Sequence, residues 1–394
     1  MMIRRVTRNI AALSIAAILL FAHTPDTAFA GDSAKFTAQL DAASTASNPI
    51  TISSAEELYE FAQFVNGYGA AAESAGSKTL YPHGYYKLTR DIDLSAYGAG
   101  WNGGEGWTPI GTVDSYLEGV FDGGGHVITG LYIFDPETIG SAAGLFGVSS
   151  GLIKNLGLVG VNITGNFHAG GVAGDVHKGS IDNCFVTGSI SGDRYVGGIA
   201  GEVFMGTISN CYTTCVVLGS TDYLRGKDIG GVAGSIQDAS VKSCYATGSV
   251  TGNRSIGGVV GSAETFDRNT IINCVALNLF VNGEYDVGRV LGSHYYYSVK
   301  TESTTFFAGI MFGGNYALKD MSVTDMDKKD TKNGVDITVT NSISKSFWTE
   351  KLFFDESVWV LEDGKLPILR GLAGQDGTPN SNRLSRIMYP ESLI

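Results

Sequence analysis

The sequence predicts an all-β fold: a right-handed, single-stranded parallel β-helix, with a short N-terminal capping helix and a C-terminal cap. Three observations carry this. Glycine is abundant, at 54 of 394 residues, while proline is scarce at 8, and glycine at that level in a folded chain means many tight corners. A five-residue glycine-bounded block recurs at near-constant spacing, as a repeat architecture requires. The apolar pieces between blocks are short, rich in Val and Ile, and bounded by Gly or Asn, which suits buried strands and not helices. With 43% hydrophobic and 17% charged residues, the chain can bury a large core and is not disordered.

Residues 1–30 read as a secretory signal. Arg4, Arg5 and Arg8 form a basic head, Ile10 to Ala22 carry no charge, and Ala28-Phe-Ala30 supplies a small-x-small cleavage site. A single-pass anchor starts the same way, but this run is shorter than the ~20 residues a span needs. No later stretch is long and apolar enough to span a membrane. The expected product is secreted, extracellular or held at the cell surface. Cleavage would remove three arginines and one aspartate, leaving 24 basic and 38 acidic side chains, a net −14. That balance argues against nucleic acid as a partner, because phosphate binding needs clustered Lys and Arg.

Residues 31–84 are expected to form the N-terminal cap. Ser53-Ser-Ala-Glu56 precedes an apolar stripe of Leu58, Phe61, Ala62 and Val65. This predicts a helix with Ser53 as N-cap and Glu56 as its box partner. The β-helix proper is assigned to 85–297. Its first coils use Tyr86 to Leu94 and Trp107 to Ile133, with a tight corner at Phe121-Asp-Gly-Gly-Gly125.

The repeat then becomes explicit. Ala143-Gly-Leu-Phe-Gly147 recurs as Gly170-Gly-Val-Ala-Gly174, Gly197-Gly-Ile-Ala-Gly201, Gly230-Gly-Val-Ala-Gly234, Gly257-Gly-Val-Val-Gly261 and a worn Gly288-Arg-Val-Leu-Gly292, at spacings of 27, 27, 33, 27 and 31 residues. Each unit also carries a block such as Ile181-Asp-Asn-Cys-Phe-Val-Thr-Gly188. A unit of this length holds three short strands and three corners, and cannot bury its inward face alone, so units must stack. Stacking in register predicts one buried column of Ile153, Ile181, Ile208, Val241 and Ile271, and another of Val172, Ile199, Val232 and Val259. Asn155, Asn183, Asn210 and Asn273 share one position, with Ser243 as the exception, and predict a left-handed corner with amide bonding between coils. Insertions around Tyr223 to Asp228 and Thr265 to Asn269 fall at corners, where loops are tolerated. Residues 298–370, richer in charge and aromatics, are expected to cap the far end, and 371–394 to form a flexible tail.

The Gly-Gly-Val-Ala-Gly blocks followed by Asn-Cys-Tyr/Phe-x-Thr-Gly resemble the GLUG motif of bacterial surface and secreted proteins. Arg90-Asp-Ile-Asp-Leu94, Trp107-Thr-Pro-Ile-Gly111 and Phe121-Asp-Gly-Gly-Gly-His-Val-Ile-Thr-Gly-Leu-Tyr-Ile133 are similar to the usual lead-in to such repeats. Phe347-Trp348, Val358-Trp359 and Gly364-Lys-Leu-Pro-Ile-Leu369 are similar to its ending. The resemblance covers about residues 50 to 370, is specific in its whole order, and is weak for any one block. It implies a β-helical module of the kind seen in adhesin-like proteins and in non-catalytic parts of some IgA-cleaving peptidases, from which these residues depart in having no peptidase portion. It brings no catalytic residues with it.

Little in the residues points to chemistry. The six histidines are scattered and no His-Glu-x-x-His helix occurs, so neither a metal nor a cofactor is expected. Cys184, Cys211, Cys244 and Cys274 share one repeat position and should stack. Parallel side-chain vectors suit disulfide geometry badly, which favours buried free thiols; Cys215 pairs with Cys211 only if the strand bends. Asp91, Asp93 and Asp122 are the nearest candidates for a glycosidase pair, against the plainer reading of coil-edge carboxylates bonded to backbone amides. One binding stripe is expected if the residues beside the stacked positions point outward: Phe185, Tyr212 and Tyr245, flanked by Thr187, Thr214 and Thr247. Such a face suits glycan rings or a partner protein, the alternative being that the rings cover the stack. The resulting expectation is a non-enzymatic, adhesin-like surface module whose partner is a glycan, a cell-envelope component or a host surface protein. A carbohydrate-active enzyme and a structural spacer are the rival readings. The oligomeric state is not legible.

Overall fold

The computed structural model describes residues 44–74, 82–138, 140–222, 225–296, 298–300, 305–307, 309–324 and 331–377. The signal segment and the last 17 residues of the expected tail lie outside them. Among the described residues the chain is a parallel β-solenoid, built from a 21-stranded, a six-stranded and a five-stranded sheet. The six-stranded sheet runs from Phe146–Ser149 through Ala173–His177, Ala200–Phe204, Ala233–Gln237 and Val260–Thr265 to Leu291–Tyr296, every pair parallel.

Register slips between Val186 and Gly188, which pair with Leu158 and Val161, but the buried columns keep it. One column runs Ile50, Tyr86, Phe121, Ile153, Ile181, Ile208, Val241, Ile271, Phe312, each residue the direct partner of the next. Its members from Phe121 to Ile271 are essentially inaccessible to solvent. Val172, Ile199, Val232 and Val259 form the second buried column, and Val290 extends it. Each such side chain, fully buried, contributes about 1.5–3 kcal/mol, so the stack and not any single coil holds the fold.

The corners explain the polar repeat. Asn155, Asn183, Asn210 and Asn273 all have φ between 51° and 54°, and Ser243 adopts φ 51° at the same position. After glycine, Asn is among the residues that tolerate this region at least cost. Amide bonding between coils holds for one step, Asn183 Nδ2 donating to Asn155 Oδ1 at 2.8 Å. Asn155 and Asn210 donate instead to Asp122 and Asp182, because a carboxylate within reach is the better acceptor. Two further left-handed columns were not evident in the sequence: His168, Tyr195, Asp228, Ser255 and Asp286, and Lys178, Met205 and Asp238. Gly230 has no room for a side chain. A Cβ on Gly230 would lie 2.0 Å from the Ala233 carbonyl oxygen.

The N-terminal end is plugged by the helix Ala55–Ser74, whose Phe61 ring lies 4.5 Å from Tyr86 and 5.9 Å from Phe121. Its cap sits one residue later than expected. Ser54 Oγ accepts from Glu57 N, while the Glu57 carboxylate reaches back to Ser53. Strand Ile50–Ile52 precedes the helix and already pairs with Tyr85–Leu88, so the coils begin inside the expected cap.

The C-terminal segment departs most from expectation. Coils continue past 297: Gly309–Gly313, Tyr316–Leu318 and Ser322–Val323 pair with the preceding coil, and Val335–Ile337 adds to Tyr316–Leu318. Arg289, buried, finishes this end by bonding the carbonyls of Leu318 and Gly334 and pairing with Asp336 at 2.7 Å. Residues 338–377 then fold back along the flank toward the N-terminal coils, where Ala373 N donates to the Gly125 carbonyl at 2.9 Å. The first seven residues of the expected tail are therefore pinned to the solenoid. The physical reason is the aromatic content of the segment, which buries best against a matching surface.

Candidate functional site

That surface is the expected binding stripe. Phe185, Tyr212 and Tyr245 are in register and their rings stack at 5.2 and 4.9 Å, within 7° of parallel. They are not exposed. Their accessibilities are 0%, 4% and 2%, because the returning segment lies over them. Trp359 packs on both tyrosines and Trp348 on Tyr245. Tyr212 Oη donates to Gln375 Oε1 at 3.1 Å and Tyr245 Oη to the Pro367 carbonyl at 2.5 Å. Burial pushes both phenols up. Thr187, Thr214 and Thr247 remain half-buried beside them, Thr187 Oγ1 accepting from Gly160 N. The stripe is an intramolecular docking strip for the C-terminal segment, and the outward-facing reading is corrected accordingly.

The candidate catalytic acids are coil-edge carboxylates. Asp91 accepts from Val127 N and bonds His126, and Asp93 accepts from Ser95 N. Asp93 is held below the usual carboxylate range by its Ser95 bonds. At Asp122, burial would raise the acid, but hydrogen bonds from Asn155, Gly124 and Tyr85 with the charge of Lys154 outweigh it and hold it low. A general acid must instead hold its proton near neutrality, which neither Asp93 nor Asp122 does. The five cysteines are all free and buried. Burial drives the Cys211 and Cys274 thiols well up, and Cys215 to about 12. At Cys244 burial is outweighed by the bonds from Cys211 and Cys274, which pull the thiol down. All five are shut off from solvent, and attack needs an accessible thiolate.

A different flank gathers the ionisable groups. On the five-stranded sheet Arg194, Lys227, Arg254 and Tyr285 are successive partners. The adjoining left-handed corner presents His168, Tyr195, Asp228, Ser255 and Asp286. The six-stranded sheet adds Asp175, Glu202, Ser235, Ser262 and Ser293 in register. Stacking three cations along strands about 4.8 Å apart is unfavourable by itself. The corner residues neutralise it: Lys227 lies 3.5 Å from Asp228 and Arg254 3.1 Å from Asp286. Arg194 instead donates to Tyr195 Oη and lies over the Phe167 and Tyr195 rings. At one end His168 Nε2 approaches Glu202 Oε2 to 3.1 Å. Beside them Asp175 is raised to about 6, first by burial and then by the Glu202 carboxylate.

The sequence carried this arrangement unread. Asp175 and Glu202 both follow the closing glycine of a repeat block, and His168 precedes the Gly pair by two, where Tyr195, Asp228, Ser255 and Asp286 also fall. Aligning the blocks on those flanking positions places them side by side, whereas scanning for contiguous motifs does not.

Residues 165–191 and 226–251 match the GLUG motif. Among the described residues the chain is thus a β-solenoid that carries two matches to the GLUG motif. A protein of Evansella cellulosilytica, provisionally named a Gly-rich membrane protein, is 45% identical over 82 residues, 20% of this chain and 9% of its own length. Halomucin of Haloquadratum walsbyi is 36% identical over 111 residues, 27% of this chain and 1% of its own length. The matches therefore span small parts of much longer relatives. Among solved structures, a chain from Bacteroides ovatus provisionally assigned as an immunoglobulin A1 protease aligns with a TM-score of 0.59 at 20% identity, over 83% of this chain and 94% of its own. At that identity the likeness concerns the fold.

Proposed function

We propose that this β-solenoid with GLUG-motif repeats is a non-enzymatic, extracellular surface-binding module, and that its recognition face is the partly exposed charged column of Arg194, Lys227 and Arg254. The single observation carrying this reading is the alignment of Arg194, Lys227 and Arg254 beside the columns led by His168 and Asp175. A rigid ladder with one charged group per coil offers repeated contacts at strand spacing, which suits an extended, periodic polymer such as a glycan, or a host surface protein. Two further points support it. The relatives bear the names of a Gly-rich membrane protein and halomucin. Of the three acids weighed for a glycosidase pair, Asp91, Asp93 and Asp122, the last two are held ionised.

The test presents purified chain to glycan and host-matrix arrays, followed by incubation of retained polysaccharides with the protein. Retention without product release, lost when Arg194, Lys227 and Arg254 are all replaced by Ala, supports the module. Release of product would place the chain among carbohydrate-active enzymes, and no retention on any surface would leave the structural spacer.

A further inference from the structure

We propose that His168, Asp175 and Glu202 form a binding site for one divalent transition-metal ion of the zinc class. The three residues come from two neighbouring coils. Asp175 and Glu202 are direct partners on adjacent strands, and His168 sits at the left-handed corner that opens toward them. One donor atom from each lies within 4.8 Å of the others, and His168 Nε2 to Glu202 Oε2 is already 3.1 Å. Donors sharing a tetrahedral ion at zinc–ligand lengths sit about 3.4 Å apart, so a small side-chain rotation of Asp175 completes the set. Two features beyond proximity point to a ligand. Asp175 Oδ1 is shut off from solvent and has no hydrogen-bond partner, a condition that an ion would relieve. The His168 ring is fixed by stacking on Tyr195 at 5.0 Å and 27°, and so is held for coordination. One imidazole with two carboxylates suits zinc or manganese, whereas calcium takes six or more oxygens. The site closes one end of the charged flank, but its assay does not depend on what that flank binds.

Calorimetric titration of tag-free, chelator-stripped full chain with zinc chloride should show saturable uptake of one ion per chain. Affinity should fall at least tenfold in His168→Ala and in Glu202→Gln, and stay unchanged in His83→Ala, whose exposed ring pairs with Glu118 elsewhere. Zinc should also raise the melting temperature of the wild type and not that of His168→Ala. The assignment is overturned by absence of saturable uptake in the folded wild type. Equal uptake by wild type and by folded His168→Ala and Glu202→Gln overturns it too, as does saturable uptake of calcium in place of zinc.

Discussion

Tyr245 donates its hydroxyl to the main-chain carbonyl of Pro367, 122 residues further along the chain. That bond ties the C-terminal segment to the middle of the solenoid, with Trp359 packed against the same ring at 6.0 Å. The segment adds no in-register coil here; it seals an aromatic strip that would otherwise face water. Trp359→Ala removes a fully buried indole and should cost about 3–5 kcal/mol. Tyr245→Phe leaves the carbonyl without its donor and should cost about 1–3 kcal/mol. Both should render residues 338–377 cleavable by protease while the coils stay resistant. Equal protection of the segment in wild type and Trp359→Ala would show that the strip does not hold it.

The Asn corner gives a second outcome. Asn183 lies at φ 54° and bridges to Asn155. Asn183→Ala should destabilise by about 1–2 kcal/mol from the left-handed backbone alone. Asn183→Gly should lose less, because only the amide bond goes. Ser243 occupies the same corner without the favoured residue, so Ser243→Asn should raise the melting temperature. Thermal denaturation of the three variants checks the order; Ala matching Gly would mean that the corner carries no backbone strain.

The aliphatic columns and the asparagine corner were legible because each repeats at one position within every block, and a buried position cannot change its polarity without cost. Ile181, Ile208 and Val241 therefore read directly from the sequence. The register of Tyr212 and Tyr245 is legible in the sequence, but whether their rings meet solvent is not. Whether an outward ring is covered depends on contacts with residues such as Gln375, 163 positions away, which no local period encodes. His168, Asp175 and Glu202 were missed for a related reason. Their adjacency exists only across coils, and each is unremarkable in its own stretch of chain.

The thiols provide a count that separates two states. Cys184, Cys211, Cys215, Cys244 and Cys274 are free and buried, and burial raises Cys211, Cys215 and Cys274. Reaction requires an accessible thiolate. Native protein should therefore show almost no reaction with an aromatic disulfide reagent at pH 8, and unfolded, unreduced protein should show five thiols per chain. A count of three on unfolding would reveal a disulfide and contradict the stacked-thiol column.

Asp228 supplies a pH dependence whose sign is fixed by burial. Its side chain is inaccessible to solvent, and burial, only partly offset by Lys227, raises it to about 6. The native state thus keeps a proton that the unfolded chain, with its carboxyl near 3.9, gives up. Below about pH 4 both states hold the proton and the contribution to stability is fully present. It is lost as pH rises toward 6, and above that the ionised carboxylate is a constant burden of about 3 kcal/mol. Asp228→Asn keeps the shape and tolerates the φ of 64° at this corner, but cannot ionise. The variant should therefore be more stable than wild type at pH 7, by up to ~3 kcal/mol, with the difference shrinking toward zero near pH 4. Urea unfolding at pH 4, 5, 6 and 7 measures this directly. A variant less stable than wild type at pH 7 would instead make the Lys227–Asp228 pair, at 3.5 Å, the dominant interaction of that corner.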